Sequence, residues 1–360
     1  MNFSDIAKLR LLSQQIEVTK FKTPKAIVSW MGAMQAQDYS MAKWAIGIRL
    51  PNSSKEIINS AINKGEILRT HLMRPTWHFV SADDIYWMLE LTAPKIRSSM
   101  KSRHHALELT NEIKSRSNKI IGKSLAKRKY LTREEVAAEL KKNKISLDNN
   151  RLSHLLAWAE LNGIICSGPE KGNKITYALL DDRVPNKIKF SRDKALANLA
   201  EKYFTSHAPA TIKDFSWWSG LTLNESRKAL DFVKSKFITK TLNSTTYILP
   251  DNYIIPEKNN KSVHLLPSYD EFIISYADRS AALSSKKFKI TVSSNGVFHP
   301  IILLEGKATG LWKRSFKKDK INIEANLYIS HSNSEKELIK KAAKKFGDFM
   351  KQKIELKFNS

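Results

Sequence analysis

The pattern of apolar and polar residues predicts mainly helices up to about residue 250 and mainly strands after Ser262. In the first part, apolar residues recur at helical spacing, as at Ile27, Trp30 and Met34. After Ser262 the apolar positions become alternating or continuous, which is typical of strands. The sequence therefore predicts an α+β fold with a helical first part and a small C-terminal β domain.

The order helix, helix, β-hairpin recurs three times in the helical part. The hairpins are predicted at residues 68–80, 164–180 and 237–249. This recurrence indicates tandem winged-helix units, which share a pattern but not a sequence. The predicted bounds are 1–92, 93–185 and 186–255 for the three units and 256–360 for the β domain.

The β domain is predicted from five apolar runs and one helix. A turn at residues 295–296 and another at 305–306 suit hairpins between the runs. A terminal helix is predicted at residues 334–353. The predicted strands lie at residues 263–266, 272–276, 288–292, 300–304 and 321–323.

Two glutamines lie where the first unit's opening helix is expected to end. That helix begins at Thr23 with a cap followed by proline, and it should stop near Asp38, with Ser40 capping the next helix. In a continuous helix, residues two apart point to nearly opposite sides. Gln35 and Gln37 can therefore converge on one site only because the helix breaks there.

The hairpin of the first unit carries further polar residues. His71 and His78 lie on opposite arms, and Arg74 lies at the turn. Taken singly, a pair of glutamines is common at surfaces and caps, and a hairpin histidine is usually structural. Trp44 and Trp77 could stack on bases, but their apolar neighbours favour packing in a core.

The net charge is the strongest signal in the composition. The chain has 61 Lys and Arg against 35 Asp and Glu, a formal net charge of +26, which favours a polyanionic partner. A lysine-rich, AT-biased genome explains part of this excess. The basic residues are also clustered between residues 95 and 130, after a helix expected to end near Pro94, and clustering favours nucleic acid. The candidate DNA-contact residues in this cluster are Arg97, Lys101, Arg103, Lys127, Arg128 and Lys129.

Several classes of protein are disfavoured by what the sequence lacks. No apolar run approaches the roughly 20 residues that span a membrane, and residues 1–8 do not resemble a signal peptide. The single cysteine, Cys166, lies in an apolar run and is expected to be buried. There is no metal-ligand cluster, phosphate-binding glycine loop or nucleophile triad in the sequence. We expect a cytoplasmic protein that uses neither a metal nor a cofactor.

Four stretches together resemble the AlkZ-like DNA glycosylases, bacterial winged-helix proteins that remove alkylated bases. They are Q-A-Q at residues 35–37, T-H-L-M-R-P-T-W-H at 70–78, L-L-P-S-Y-D-E-F-I-I-S-Y-A-D-R at 265–279 and N-G-V-F-H-P-I-I-L-L-E-G-K-A-T-G-L-W-K-R at 295–314. The resemblance covers nearly the whole chain. It implies that the C-terminal domain is a β-barrel and that the partner is double-stranded DNA with alkylated bases.

The amide chemistry agrees with this resemblance. A glycosylase passes through a transition state like an oxocarbenium ion, and amides can position a water but remove its proton only weakly. The base must therefore be a good leaving group before the reaction begins. A purine alkylated at N7 or N3 is one, because it is cationic and departs as a neutral base. The resemblance implies that Gln37 holds the water and stabilises the sugar cation, that Gln35 assists, and that interstrand crosslinks are possible substrates. A sister branch has an acidic residue where this chain has Gln37.

The sequence allows more than one role for several residues. Asp38 is either a general base or a helix cap. His71, Arg74 and His78 are assigned to DNA contact near the lesion, with a structural role for one histidine as the competing interpretation.

Two rival functions are a non-enzymatic winged-helix regulator and a nuclease. A regulator usually reads a palindrome as a dimer, whereas three unlike units and a β domain suit a monomer. A nuclease requires carboxylates clustered around metal ions, and the sequence has no such cluster.

Overall fold

The computed structural model describes residues 2–254 and 261–359. The helices are α1 (Phe3–Ser13), α2 (Pro24–Met31), α3 (Tyr39–Gly47), α4 (Lys55–Lys64), α5 (Ile85–Ser99), α6 (Lys101–Ala106), α7 (Asn111–Arg128), α8 (Arg133–Lys142), α9 (Arg151–Leu161), α10 (Leu180–Arg183), α11 (Arg192–Ser206), α12 (Ile212–Ser219), α13 (Leu223–Asp231), α14 (Glu271–Ile274), α15 (Ser285–Thr291) and α16 (Asn333–Met350). The strands are β1 (Ala33–Gln35), β2 (Ile67–Leu72), β3 (Arg74–Ser81), β4 (Leu131–Thr132), β5 (Ile165–Ser167), β6 (Thr176–Leu179), β7 (Phe237–Leu242), β8 (Thr245–Pro250), β9 (Val263–Leu266), β10 (Ile301–Leu304), β11 (Lys307–Phe316), β12 (Lys320–Leu327) and β13 (Lys353–Asn359).

Each of the three helical units contains the expected order of helix, helix and hairpin. In the first unit (α2 to β3) the short strand β1 joins the hairpin, and the sheet order is β1-β3-β2. The second unit (α7 to β6) has the matching order β4-β6-β5. In the third unit (α11 to β8) a single bridge between Ala210 and Ile248 stands in place of the extra strand. The units thus share one topology as well as one order of elements.

The first unit departs from the expected course at the two glutamines. Helix α2 begins after its Thr23 cap as expected, but it ends at Met31, seven residues before Asp38. Gly32 adopts a positive φ of 77°, a conformation that glycine tolerates best, and the chain then enters strand β1. The cap of α3 is Asp38 and not Ser40, because an Asp38 oxygen accepts a hydrogen bond from the Met41 amide.

The C-terminal residues form an open sheet, and the expected barrel is not seen. The five strands lie in the order β13-β12-β11-β10-β9, and β9 and β13 form its two edges within the described residues. Only the β12–β13 pair is parallel. Two expected strands, at 272–276 and 288–292, overlap helices α14 and α15 instead. A short apolar run does not distinguish a strand from a buried helix, and Asp270 caps α14.

The basic segment also differs from the expected arrangement. Helix α5 passes through Pro94 without ending and continues to Ser99, so Arg97 belongs to α5. Most of the other basic residues lie on α6 and α7, and Lys129 follows the end of α7. No helix in residues 2–254 or 261–359 is long and apolar enough to cross a membrane.

One hydrophobic core joins the first unit to the C-terminal sheet. The indole nitrogen of Trp44 donates to the carbonyl of Leu265 at 2.8 Å, and that of Trp312 donates to Leu266 at 2.8 Å. The ring of Phe346 on α16 lies 5.2 Å from that of Trp44. Trp44 therefore packs in the core, as its neighbours indicated, and Cys166 is buried in a second core.

A fully buried ion pair crosses the same interface. Arg49 Nη1 lies 2.9 Å from Asp270 Oδ2, and Arg49 Nη2 lies 2.8 Å from Asp270 Oδ1. The guanidinium also donates to the carbonyl oxygens of Gln14 and Ala45. These bonds compensate for the loss of water around both charges, and they fix the start of α14 against the end of α3.

Replacing Arg49 should destabilise the fold strongly. In Arg49→Ala the carboxylate of Asp270 stays buried without its partner, and we expect a loss of about 3–5 kcal/mol in the free energy of unfolding. Urea unfolding measures this loss. Arg192→Ala is the matched control, because it removes an exposed ion pair with Glu225 and should cost less than about 1 kcal/mol. Equal losses in the two variants would contradict this role for the buried pair.

Candidate active site

The two glutamines lie on an extended segment between α2 and α3. Gln35 pairs with His78 across β1 and β3, and the Ala36 amide donates to the Trp77 carbonyl at 2.7 Å. Gln35 is the last residue of β1, and Gln37 lies in the bend that follows it. Ala36 is fully buried, Gln35 is partly buried and Gln37 is exposed. A strand end followed by a bend, and not a helix end, therefore positions Gln35 and Gln37.

Gln35 is held at both its backbone and its side chain. Its backbone amide donates to Glu271 Oε1 at 2.6 Å. Its side-chain oxygen accepts a hydrogen bond of 3.2 Å from Arg74 Nη2. The side-chain nitrogen of Gln35 and the whole amide of Gln37 make no hydrogen bond to the described residues. These groups are available to a water or to a substrate.

Glu271 connects the glutamine segment to two other elements. It is almost completely buried, and its Oε2 accepts hydrogen bonds from the indole nitrogen of Trp218 on α12 and from the Ser275 hydroxyl. Burial raises the pKa of Glu271, while the hydrogen bonds from Ser275 and Gln35 and the charge of Arg74 oppose that rise. One carboxylate thus ties together β1, α12 and α14.

Asp38 uses both of its carboxylate oxygens in structural hydrogen bonds. Oδ1 accepts from the Met41 amide at 3.1 Å, and Oδ2 accepts from the Ser268 hydroxyl at 3.0 Å. Between the two interpretations that the sequence left open, this geometry supports the helix cap. The charge of Asp38 also opposes the lowering of the Arg314 pKa by burial, so β11 lies close to this segment.

An exposed indole lies beside Arg74. The ring of Trp217 lies 5.9 Å from the Arg74 guanidinium carbon and 5.3 Å from that of Arg279. Its nitrogen donates to the Ile274 carbonyl at 2.9 Å, and 47% of the residue is exposed. The hydrogen bond fixes the ring while leaving part of it open, and such a ring can contact a base or a sugar.

Both hairpin histidines are held inside the protein. His78 is fully buried, with Nδ1 3.0 Å from the Thr76 carbonyl. Burial, followed by the charge of Arg74, lowers the pKa of His78 to about 3, so its ring is neutral at pH 7. The ring of His71 pairs with Glu160 on α9, and its backbone amide donates to the same carboxylate at 3.1 Å. Neither ring presents a surface for DNA in this arrangement.

The basic candidates divide into two groups. Arg97 is partly buried and donates to the Leu161 carbonyl at 3.0 Å, and Arg128 pairs with Glu139 at 3.0 Å. The other four are exposed and form no ion pair with the described residues: Lys101, Arg103, Lys127 and Lys129. None of the six contacts Gln35 or Gln37 within the described parts of the chain.

Comparison with known proteins identifies the family. The family model for AlkZ-like DNA glycosylases matches residues 28–349. The chain belongs to the AlkZ-like DNA glycosylase family. It is also similar to an interstrand DNA cross-link repair glycosylase of Streptomyces sahachiroi, with 22% identity over 336 residues, 84% of this chain and 85% of that protein. The solved structure of Streptomyces sahachiroi DNA glycosylase AlkZ shares the fold, with a TM-score of 0.82, 17% identity and full coverage of both chains. The resemblance indicated by the sequence is therefore confirmed.

The site of this AlkZ-like chain includes residues that the sequence analysis did not single out. Glu271 and Arg279 lie in a stretch quoted only for its resemblance, and Trp217 lies in no quoted stretch. The sequence signal for Glu271 was an acidic residue within an otherwise apolar run. A charge in such a position requires buried partners. In the described residues 2–254 and 261–359, no three His, Cys, Asp or Glu side chains are grouped to hold a metal ion.

Asp38→Asn should separate the capping role from the general-base role in this AlkZ-like protein. Asparagine caps a helix about as well as aspartate, so the unfolding free energy and the excision rate should change little. Single-turnover excision and urea unfolding measure the two quantities. Asp38→Ala is the control, and loss of the cap should cost it about 1 kcal/mol of stability. A rate loss of about 10² or more in Asp38→Asn would instead identify a general base.

Proposed function

We propose that the chain is a monofunctional DNA glycosylase that hydrolyses the N-glycosidic bond of cationic alkylated purines of the N7-alkylguanine type in duplex DNA. The supporting observation is that two amides at the end of β1 and in the bend after it, Gln35 and Gln37, have polar atoms without a hydrogen bond to the described residues. The neighbouring carboxylates are engaged, because Asp38 caps α3 and Glu271 is buried. A site without a free base suits a purine that departs as a neutral molecule.

The two glutamines have different exposures, which supports different roles. Gln37 is exposed, and in this proposal it holds the attacking water and stabilises the positive charge that develops on the sugar. Gln35 is fixed by Arg74 and assists. The reaction needs no cofactor or metal in this proposal, and it leaves an abasic site with the strand intact.

We interpret the three repeated units as winged helices that hold the duplex. In each unit the hairpin pairs with the short strand, or bridge, that follows the first helix. Lys101, Arg103, Lys127 and Lys129 are exposed and form no ion pair with any residue that the structure describes, and we assign them to DNA phosphates. The contacts of His71, His78 and Arg97 favour structural roles. A single chain suffices for this arrangement.

Interstrand crosslinks are included in the proposed substrate range. The relative from Streptomyces sahachiroi is named for interstrand cross-link repair. A crosslink joined through N7 of a purine is also cationic at that base, so the same chemistry applies. A non-enzymatic regulator is less well supported, because the paired amides and their buried support have no use in DNA binding alone.

Removing Lys127 and Lys129 should weaken binding equally on unrelated duplexes. Each phosphate contact adds about one to the slope of log K against log salt, so the slope should become shallower by about two in the double alanine variant. Fluorescence anisotropy at several salt concentrations measures this change. The control variant removes Lys340 and Lys344, which pair with Glu337 and Asp348 on α16. Selective loss on one sequence would favour the regulator.

Gln37→Ala should slow excision by about 10² or more while DNA affinity changes little. The physical reason is that the truncated side chain no longer positions the water. Single-turnover assays on a duplex with one N7-methylguanine, in buffer with chelator, measure the rate, and anisotropy measures the affinity. A duplex with uracil is the control substrate and should stay uncut. Excision by Gln37→Ala at the wild-type rate would refute the site, and no excision by the wild type would refute the function.

A further inference from the structure

The contact between Arg74 and Gln35 fixes which end of the Gln35 amide faces Arg74. A guanidinium group has only hydrogen-bond donors, so the atom that it contacts at 3.2 Å must be the amide oxygen. The amide nitrogen then points away from Arg74, and it makes no hydrogen bond to the described residues.

We propose, on the basis of the function given above, that Arg74 is a positioning residue that holds Gln35 with its NH₂ group toward the substrate. In this arrangement Gln35 presents its two N–H donors to an oxygen of the water or of the DNA. Gln37 has no such restraint and keeps its oxygen as the acceptor for the water. Arg74 then acts through Gln35, whereas the sequence assigned it to DNA contact near the lesion.

The backbone immediately before Arg74 is held in place by two other elements. It follows Met73, whose amide donates to Thr92 Oγ1 at 3.2 Å. Gly220, at the end of α12, approaches so closely that a Cβ there would lie 2.4 Å from the Met73 carbonyl oxygen. Burial lowers the pKa of Arg74, and attraction to Glu271 opposes that change. Arg74 is partly buried, its guanidinium carbon lies 5.9 Å from the ring of Trp217 on α12, and its Nε has no hydrogen-bond partner among the described residues.

Glu271 completes the arrangement from the other side of Gln35. Its Oε1 accepts from the Gln35 backbone amide, while Arg74 binds the side chain of the same residue. The backbone of Gln35 is therefore fixed by a carboxyl group and its side chain by a guanidinium group. Neither group needs to touch the substrate, so both position a residue that does.

The first test separates positioning from phosphate contact. Arg74→Met keeps much of the side chain's length but removes its donors, and it should lower the single-turnover excision rate at least tenfold. The slope of log K against log salt should stay unchanged, and Arg74→Lys should restore part of the rate because it keeps a donor. If Arg74→Met instead makes the slope of log K against log salt shallower by about one and excises at the normal rate at saturating enzyme, Arg74 contacts a phosphate.

The second test compares carboxylates at the two glutamine positions. Gln35→Glu keeps an oxygen for Arg74 but loses the NH₂ group, so its rate should be no higher than that of Gln35→Ala. Gln37→Glu keeps an acceptor, so it should retain more rate than Gln37→Ala. Thermal unfolding and DNA affinity check that each variant is folded. A Gln35→Glu rate well above that of Gln35→Ala would overturn the proposed orientation.

A third measurement does not depend on excision. With ¹⁵N-labelled glutamine side chains, the NH₂ signal of Gln35 is assigned by its loss in Gln35→Glu. That signal should shift in Arg74→Met and stay in place in Lys127→Ala, whose side chain lies elsewhere. An unshifted signal in Arg74→Met would refute the contact. If the signal shifts but the wild type excises nothing, the orientation stands and the proposed function fails.

Discussion

The buried ion pair between Arg49 and Asp270 is the interaction on which the site depends most. Both guanidinium nitrogens of Arg49 bond to the carboxylate, and both residues are excluded from water. The pair fixes where α14 begins, and the next residue, Glu271, is the one that holds β1. The position of the glutamines therefore follows from a contact between the first unit and the C-terminal segment, which are more than 200 residues apart in the chain.

The structure shows which sequence predictions depended on local interactions. The cap at Thr23 involves a neighbour only three residues away, because the Thr23 side chain accepts a hydrogen bond from the Ala26 amide, and it is present as predicted. The end of α2 depends instead on pairing between β1 and β3, more than 40 residues later. A local pattern contains no information on that pairing, so it predicts a helix where the structure has strand β1 and the bend after it.

The same reasoning explains which part of the site the sequence missed. Gln35 and Gln37 were recognisable because they lie together in one short motif. Glu271 bonds to residues 236 and 53 positions away, and its surrounding apolar run was compatible with either a strand or a helix. The burial of the hairpin residues could not be predicted from the sequence either, because the residue that covers His71 is Glu160 of the second unit. Long-range packing therefore decided which polar residues were accessible.

Charge balance links the support of Gln35 to the proposed chemistry. A departing cationic purine and an oxocarbenium-like sugar are both positive, so an isolated arginine beside them would oppose the reaction. Arg74 is next to Glu271, and attraction to that buried carboxyl group opposes the lowering of the Arg74 pKa by burial. Burial and the charge of Arg74 lower the pKa of Arg279, and the charges of Asp214 and Asp278 oppose that change. In the proposed arrangement Arg74 acts through the neutral amide of Gln35, which places a neutral group between the guanidinium and the cationic substrate.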